Sequence, residues 1–128
     1  MVLLGLALDG KNGPNTGGCA NYRGFVTVDR SAEPHKVTDT QDYSAIGHIS
    51  EFVHPGAVRI DSTGLGPQSL ETVAFQNTNG SIALVVLNNA DQPEGLSVSW
   101  HGKSFQASLN AGSVAPYRWF ASKSARRQ

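Results

Sequence analysis

A chain of 128 residues has room for one domain, and its 39% of apolar residues predict a packed core. Ten Lys and Arg residues balance ten Asp and Glu residues, which argues against a nucleic-acid partner or an anionic membrane surface. The single cysteine, Cys19, excludes an intramolecular disulfide and a multi-cysteine zinc site. Because the four histidines also lack metal-ligand spacing, we expect no metal site and no cofactor.

The first predicted element is the apolar run Val2–Leu8. Apolar and polar residues do not alternate in it, which is typical of a strand covered on both faces. The run is too short for a transmembrane helix, and it lacks the basic flank and cleavage site of a signal peptide. The segment Gly10–Gly18 is rich in glycine and predicts a loop.

A hairpin and a helix are predicted next. Gly24–Asp29 alternates as a strand does, and Lys36–Thr38 is its predicted hairpin partner. In Asp42–Val53 apolar residues recur every three or four positions, which predicts an amphipathic helix. Thr40 or Asp39 can cap the start of this helix.

Six strands are predicted beyond the helix, where the period of the apolar pattern changes to two. They are Ala57–Asp61, Leu70–Gln76, Ser81–Asn88, Leu96–Trp100, Ser104–Leu109 and Val114–Phe120. The segment Ile82–Leu87 is apolar at every position, so we expect it in the centre of its sheet. Asn79-Gly80 before it predicts a two-residue hairpin turn.

The two strands that follow predict one apolar face each. The residues expected on the core side are Leu96, Val98, Trp100, Phe105, Ala107 and Leu109. The fold class is therefore mainly β, with a small antiparallel β-sandwich. About 65 residues is few for a sandwich, so strands from elsewhere could be needed to complete it.

Several segments together carry a resemblance to a known family. They are Leu6–Asp9, Asn12–Asn15, Gly17–Gly24, Ala45–Val53, Pro55–Ile60, Val73–Phe75 and Asn79–Asn89. In order and spacing they resemble glycoside hydrolase family 30, which includes glucosylceramidases and related β-glycosidases. The resemblance covers about residues 4–120 and departs from the family at Leu4-Gly5, where members usually carry a pocket tryptophan followed by asparagine.

The resemblance implies a domain organisation. Residues 1–55 would be the end of a (β/α)8 barrel, namely its last strand, a loop, a hairpin and its last helix. Residues 56–121 would be the β-sandwich domain, and residues 122–128 a basic, flexible tail. A parent enzyme of this family would be secreted or extracytoplasmic, although this chain itself does not fix the compartment.

The resemblance also bears on catalysis. Retaining glycosidases use two carboxylates about 5–5.5 Å apart, and the family places its two glutamates at the ends of earlier barrel strands. The four glutamates of this chain match neither motif and are expected to be surface carboxylates. They are Glu33, Glu51, Glu71 and Glu94. No catalytic residue is therefore predicted, apart from Asp9 as a weak candidate.

Asp9 follows the predicted barrel strand at its C-terminal end, where barrel enzymes place their chemistry. With Asn15, Tyr22 and Arg23 in the same loop it is a candidate for binding substrate. The favoured alternative is that Asp9 caps its own turn through hydrogen bonds to the backbone. Trp100 and Trp119 could stack on a sugar ring, but core packing is the favoured role for both.

Three functions are compatible with these residues. The first is a non-catalytic sandwich portion of a family 30-type β-glycosidase, which supports the barrel and could contact carbohydrate. The alternatives are a free-standing carbohydrate-binding module, or a small hydrolase with an unrecognised carboxylate pair. Expected partners are a β-glycoside, and either a missing barrel segment or a second copy of the chain that pairs through Val2–Leu8 and the apolar face of the helix.

Overall fold

The computed structural model describes residues 5–14, 17, 21–63 and 70–120. The fold is mainly β, as predicted, with two compact units that divide between Gly47 and His48. No helix within these ranges is long and apolar enough to span a membrane. The predicted domain boundary after residue 55 stays a prediction, and the predicted tail, residues 122–128, lies outside the described residues.

The first unit contains a three-stranded mixed sheet. Its strands are β1 (Ala7–Leu8), β2 (Val26–Asp29) and β3 (Lys36–Asp39), in the order β1-β2-β3. β1 is parallel to β2, whereas β2 and β3 form the predicted antiparallel hairpin. Residues 2–4 of the predicted first strand lie outside the described residues.

Helix α1 (Gln41–Ser50) begins at the predicted cap. Thr40 accepts a hydrogen bond on its side-chain oxygen from the Tyr43 N–H, at 3.4 Å. The helix ends at Ser50 and not at Val53 as predicted. There the Phe52 N–H bonds to the Ile49 carbonyl only three residues back, a tighter turn than that of an α-helix, and the Val53 N–H shares this carbonyl. None of its described residues is fully buried; on the predicted apolar face Ile46 is half-buried, whereas Tyr43 and Ile49 are exposed.

Six strands lie in the described part of the second unit, and the bounds of each are within two residues of those predicted. They are β4 (Val58–Ile60), β5 (Leu70–Gln76), β6 (Ser81–Asn88), β7 (Glu94–Trp100), β8 (Lys103–Leu109) and β9 (Val114–Phe120). Four of them form an antiparallel sheet in the order β4-β5-β6-β9, and β7 and β8 form a separate antiparallel pair.

β6 is an inner strand of the four-stranded sheet, as its apolar run predicted. Every residue of Ser81–Val86 is buried, and Asn88 at its end is fully buried. The side chains of Ile82, Leu84 and Val86 share one face, since alternate residues of a strand point the same way. Burial of each Leu or Val side chain contributes about 1.5–3 kcal/mol, so β6 is the main source of core stability.

The two sheets of the second unit pack face to face. Ala74, Leu84 and Val86 from the larger sheet form one buried cluster with Leu109 from the smaller sheet. The partly buried residues around this cluster are Ile60, Leu70, Leu96, Val98, Ala115, Tyr117 and Trp119. Because both sheets contribute to one core, the predicted β-sandwich is confirmed.

The hairpin between β5 and β6 differs in detail from the prediction. The Asn77 N–H donates to the Ser81 carbonyl at 2.8 Å, and the Gly80 N–H donates to the Asn77 carbonyl at 2.9 Å. The loop therefore has three residues and not two, with Gly80 at φ +82°. A three-residue loop of this kind combines a type I turn with a left-handed residue, a conformation that glycine adopts most readily.

Asn77 fixes the segment after the helix to this hairpin. Only 3% of its surface is exposed. Its side-chain nitrogen donates to the Phe52 carbonyl and the Ser81 hydroxyl, both at 2.9 Å. Its side-chain oxygen accepts from the His54 N–H at 2.8 Å. One buried amide thus joins three separate backbone or side-chain groups.

Asn77→Ala should destabilise the second unit by about 2–3 kcal/mol, because it leaves buried hydrogen-bonding groups without partners. The measurement is the free energy of unfolding in urea. Thr78→Ala is the matched control, since Thr78 lies next to Asn77 in the chain but is exposed. Equal unfolding free energies for the two variants would show that the Asn77 bonds contribute nothing net.

Candidate functional site

Asp9 follows β1 and is held by its own loop. Its carboxylate oxygen Oδ1 accepts hydrogen bonds from the N–H groups of Lys11 and Gly13, both at 2.8 Å. Its backbone N–H donates to the Gly13 carbonyl, and its carbonyl accepts from the Asn12 N–H. These bonds are the turn-capping arrangement that was favoured for Asp9 from sequence.

The same contacts determine the electrostatics of the Asp9 carboxyl. The hydrogen bonds from Gly13 and then Lys11 lower its pKa, and the nearby charges of Arg30 and Lys11 act in the same direction. The group is therefore an ionised acceptor at neutral pH. A proton donor for glycosidic oxygen needs a raised pKa instead, so its environment does not favour the role of a general acid.

The other candidates in this loop are placed differently. Arg23 lies 3.7 Å (Nε to Oδ2) from the carboxylate of Asp42, and 68% of its side chain is exposed. Tyr22 is also exposed, whereas Asn15 lies outside the described residues. Sequence reasoning missed Asp42 as the partner of Arg23, although an acidic residue in the first turn of a helix is a common sequence signal. Whether Asp9, Asn15, Tyr22 and Arg23 bind substrate stays a prediction.

Trp100 and Trp119 belong to an aromatic cluster of the second unit. Their ring centroids are 6.3 Å apart and their planes nearly perpendicular. Phe105 packs on Trp119 at 5.9 Å and on Tyr117 at 5.3 Å. Both indole N–H groups are buried and find no acceptor among the described residues. These contacts agree with the packing role, and the sugar-stacking role stays a prediction.

A cleft of about 540 Å³ opens between the two sheets of the second unit. One wall consists of Leu70, Thr72 and Ala74 from β5, and the other is the edge of β7 from Gly95 to Trp100. Asp61 lies at this cleft and is the one charged residue among its described lining. Among the described residues a two-stranded sheet faces a four-stranded sheet, and the cleft lies over the part of the larger sheet that these strands leave uncovered.

The sequence did not reveal this cleft. The strand positions were predicted, but the order β4-β5-β6-β9 depends on pairing between segments far apart in the chain. The one indication of it in the sequence was that about 65 residues are few for a complete sandwich, which means that one sheet could be short of strands. Among the described residues no group of three or more His, Cys, Asp or Glu side chains could hold a metal ion.

Residues 56–117 match the glycosyl hydrolase family 30 beta sandwich domain. This part of the chain is a family 30 β-sandwich domain. The matched range begins before β4 and ends within β9, so it includes β4 to β8 and the first part of β9.

Relatives of the family 30 sandwich agree with this assignment. The chain is 49% identical over 47 residues to "Putative glucosylceramidase 1" of Caenorhabditis elegans, covering 36% of this chain and 9% of that protein. It is 32% identical over 75 residues to "Lysosomal acid glucosylceramidase" of Mus musculus, covering 58% of this chain and 15% of that protein. Among solved structures, the endo-beta1,6-glucanase BT3312 superposes with a TM-score of 0.84 at 36% identity, covering 91% of this chain and 26% of that one.

These proteins are much longer than the present sequence. The chain spans 9% and 15% of the two curated relatives and 26% of the solved glucanase. The similarity therefore supports the sandwich domain itself. The similarity does not extend to the activity, substrates and partners of a whole family 30 enzyme.

The Asp9 carboxyl should titrate below the ordinary aspartate pKa, as followed by ¹³C NMR of its side chain. Because the folded-state pKa is lowered, the stabilising effect of the ionised group is present above the ordinary value and is lost as pH falls through the folded value. In Asp9→Asn the acid-induced shift of the Gly13 amide should disappear. A normal or raised pKa would contradict the turn-capping role.

Proposed function

We propose that this chain acts as a non-catalytic β-sandwich portion of a family 30-type β-glycosidase and supports its catalytic barrel. The observation that carries the proposal is the match of residues 56–117 to the family 30 sandwich, together with the TM-score of 0.84 against a glucanase over 91% of the chain. The lowered pKa of the Asp9 carboxyl does not favour a general-acid role for this residue.

The contacts of Asn77 support a mechanical role. Phe52 and His54 follow the helix, and both are bonded to the Asn77 side chain. The Phe52 carbonyl accepts a hydrogen bond from it, and the His54 N–H donates one to it. The guanidinium of Arg118 on β9 also lies over the ring of Phe52, at 5.6 Å from its centroid. The exit of the helix is therefore fixed to the sandwich at two points, which is what a supporting domain requires.

A β-glycoside is the substrate class that we propose for the complete enzyme. The names of the relatives refer to glucosylceramide and to β-1,6-glucan. Asp9, Tyr22 and Arg23 are exposed in the first unit, so this loop is where we propose that the chain contacts carbohydrate. The contact would be through hydrogen bonds to sugar hydroxyls, and not through proton transfer.

The proposal can be tested by complementation. The barrel of the endo-beta1,6-glucanase BT3312, expressed without the region that this chain matches, should gain β-1,6-glucanase activity and a higher unfolding temperature when the chain is added. The chain alone should hydrolyse no aryl β-glucoside. Asn77→Ala should complement less well than Thr78→Ala, because it loosens the helix exit.

Two outcomes would contradict the proposal. Turnover by the pure chain that is lost in Asp9→Asn would make it a hydrolase in its own right. An absence of any effect on the activity and unfolding temperature of a folded barrel would remove the supporting role.

The exposed apolar residues of the first unit also support self-association. Leu6 is 73% exposed, Val37 59% and Tyr43 49%, and apolar side chains left in water favour burial against another surface. Sedimentation at high micromolar concentration should show a dimer or larger species. Leu6→Ser should weaken it, whereas Val58→Ser, at an exposed apolar residue of the second unit, should not. A monomer throughout would contradict this proposal.

A further inference from the structure

The tip of the β5–β6 hairpin carries Asn79-Gly80, one of two Asn-Gly pairs in the sequence. In such a pair the main-chain nitrogen of glycine, once it has lost its proton, can attack the side-chain carbonyl carbon of asparagine, because glycine has no side chain to shield that nitrogen. The Asn79 side chain is exposed, so water can reach it and ammonia can leave. The hairpin therefore contains both reacting groups of a deamidation.

The reaction has two steps and consumes only water. The Gly80 nitrogen forms a bond to Cγ of Asn79, the bond from Cγ to Nδ2 breaks, and Nδ2 leaves as ammonia with the proton that Gly80 gave up. Water then opens the cyclic succinimide at one of its two carbonyl carbons. Opening at Cγ yields aspartate, whereas opening at the main-chain carbonyl of Asn79 yields isoaspartate.

The closed hairpin restrains the attacking nitrogen. The Gly80 N–H donates to the Asn77 carbonyl at 2.9 Å, and a proton held in a hydrogen bond is harder to remove than one exposed to water. Among the described residues nothing lies within 4 Å of the position that a Gly80 Cβ would occupy. The restraint is therefore this hydrogen bond and not crowding, so the bond must open before the nitrogen can react.

The Asn79 side chain is restrained as well. Its Oδ1 accepts hydrogen bonds from the Ser81 N–H at 3.0 Å and from the Ser81 hydroxyl at 2.7 Å. Ser81 is itself fully buried, and its hydroxyl accepts from the Asn77 side-chain nitrogen at 2.9 Å. Cγ of Asn79 therefore cannot rotate freely towards the Gly80 nitrogen, and both reacting groups are held by bonds that lead to Asn77.

Asn77 connects this restraint to the exit of the helix. The amide that holds the Ser81 hydroxyl also donates to the Phe52 carbonyl and accepts from the His54 N–H. Hydrogen bonds in such a network strengthen one another, so the loss of one weakens the rest. Release of the helix exit from Asn77 should therefore loosen Ser81 and, through it, the Asn79 side chain.

We propose that Asn79 is a self-modification site, protected while the hairpin is closed and converted to aspartate and isoaspartate when the hairpin opens at the helix exit. Isoaspartate adds a methylene to the main chain of a three-residue loop and leaves a negative charge there. Because ammonia is lost, the change is irreversible. This inference does not rest on the proposed support of a barrel, since its residues all belong to the second unit.

The first test compares two rates in the full, unsubstituted chain. Conversion of Asn79 at mildly alkaline pH, with and without guanidinium chloride, is followed by mass spectrometry of the tryptic fragment Ile60–Lys103, and isoaspartate is identified by enzymatic methylation. Protection of the Gly80 amide against hydrogen exchange is measured by NMR. Since both reactions need the Gly80 N–H to be released, the fold should slow conversion at least as much as it slows exchange.

Two results of this comparison would overturn the proposal. Conversion as fast in buffer as in guanidinium chloride would show that the hairpin does not protect Asn79. Conversion that is slowed clearly less than exchange of the Gly80 amide would place the reaction in the closed hairpin. Because the comparison needs no variant, it decides the matter even if a substitution prevents folding.

A matched pair of variants tests the connection to the helix exit. Asn77→Ala removes the side-chain bonds of this network and should speed conversion of Asn79 by about tenfold, the ratio expected for one buried hydrogen bond. Thr78→Ala changes an exposed neighbour and should leave the rate nearly unchanged. Asn12-Gly13, the other Asn-Gly pair, is the internal reference in the tryptic fragment Asn12–Arg23, and its rate should be the same in both variants.

Other results of the variants would also overturn the proposal. Equal conversion of Asn79 in Asn77→Ala and Thr78→Ala would show that the helix exit does not control the hairpin. An equal increase at Asn12 and at Asn79 in Asn77→Ala would indicate a general loosening of the chain. Asn79→Gln is the control for the assignment, and it should abolish the isoaspartate signal of the fragment Ile60–Lys103.

Discussion

The second unit depends on one constraint, the burial of β6 on both of its faces. Its apolar run cannot form an edge or a half-exposed strand without leaving Leu84 or Val85 in water. β5 and β9 pair with it on either side, and the smaller sheet covers the face that carries Leu84 and Val86. The turns, the order of the strands and the position of the aromatic cluster follow from placing this strand at the centre.

Local patterns predicted most of the strands because their causes are local. β5, β6 and β9 lie at their predicted bounds, since alternation and apolar runs depend only on neighbouring residues. The errors are also local in origin. Helix α1 ends early in a tighter turn, where the Phe52 N–H bonds to the Ile49 carbonyl three residues back, and apolar spacing alone does not show that turn. The hairpin gained a residue because Asn77 and Ser81 pair through the backbone.

The site could be predicted only in part, and for a physical reason. Asp9 forms hydrogen bonds within its own turn, so its behaviour was accessible from the sequence of that loop. The cleft was not, because it arises where β7 faces β5, and these strands pair with other strands and not with each other. Long-range pairing decides which strand edges remain free, and no short motif records it.

The two sheets of the second unit are unequal in size. A four-stranded sheet needs more cover than a two-stranded sheet gives, so part of β5 remains accessible beside an unguarded edge. Natural proteins usually protect such edges with charge, proline or short length, and β4, β8 and β9 carry these features here. β7 lacks them at the described edge that faces the cleft, so the unequal size of the two sheets leaves this edge and part of β5 without cover among the described residues.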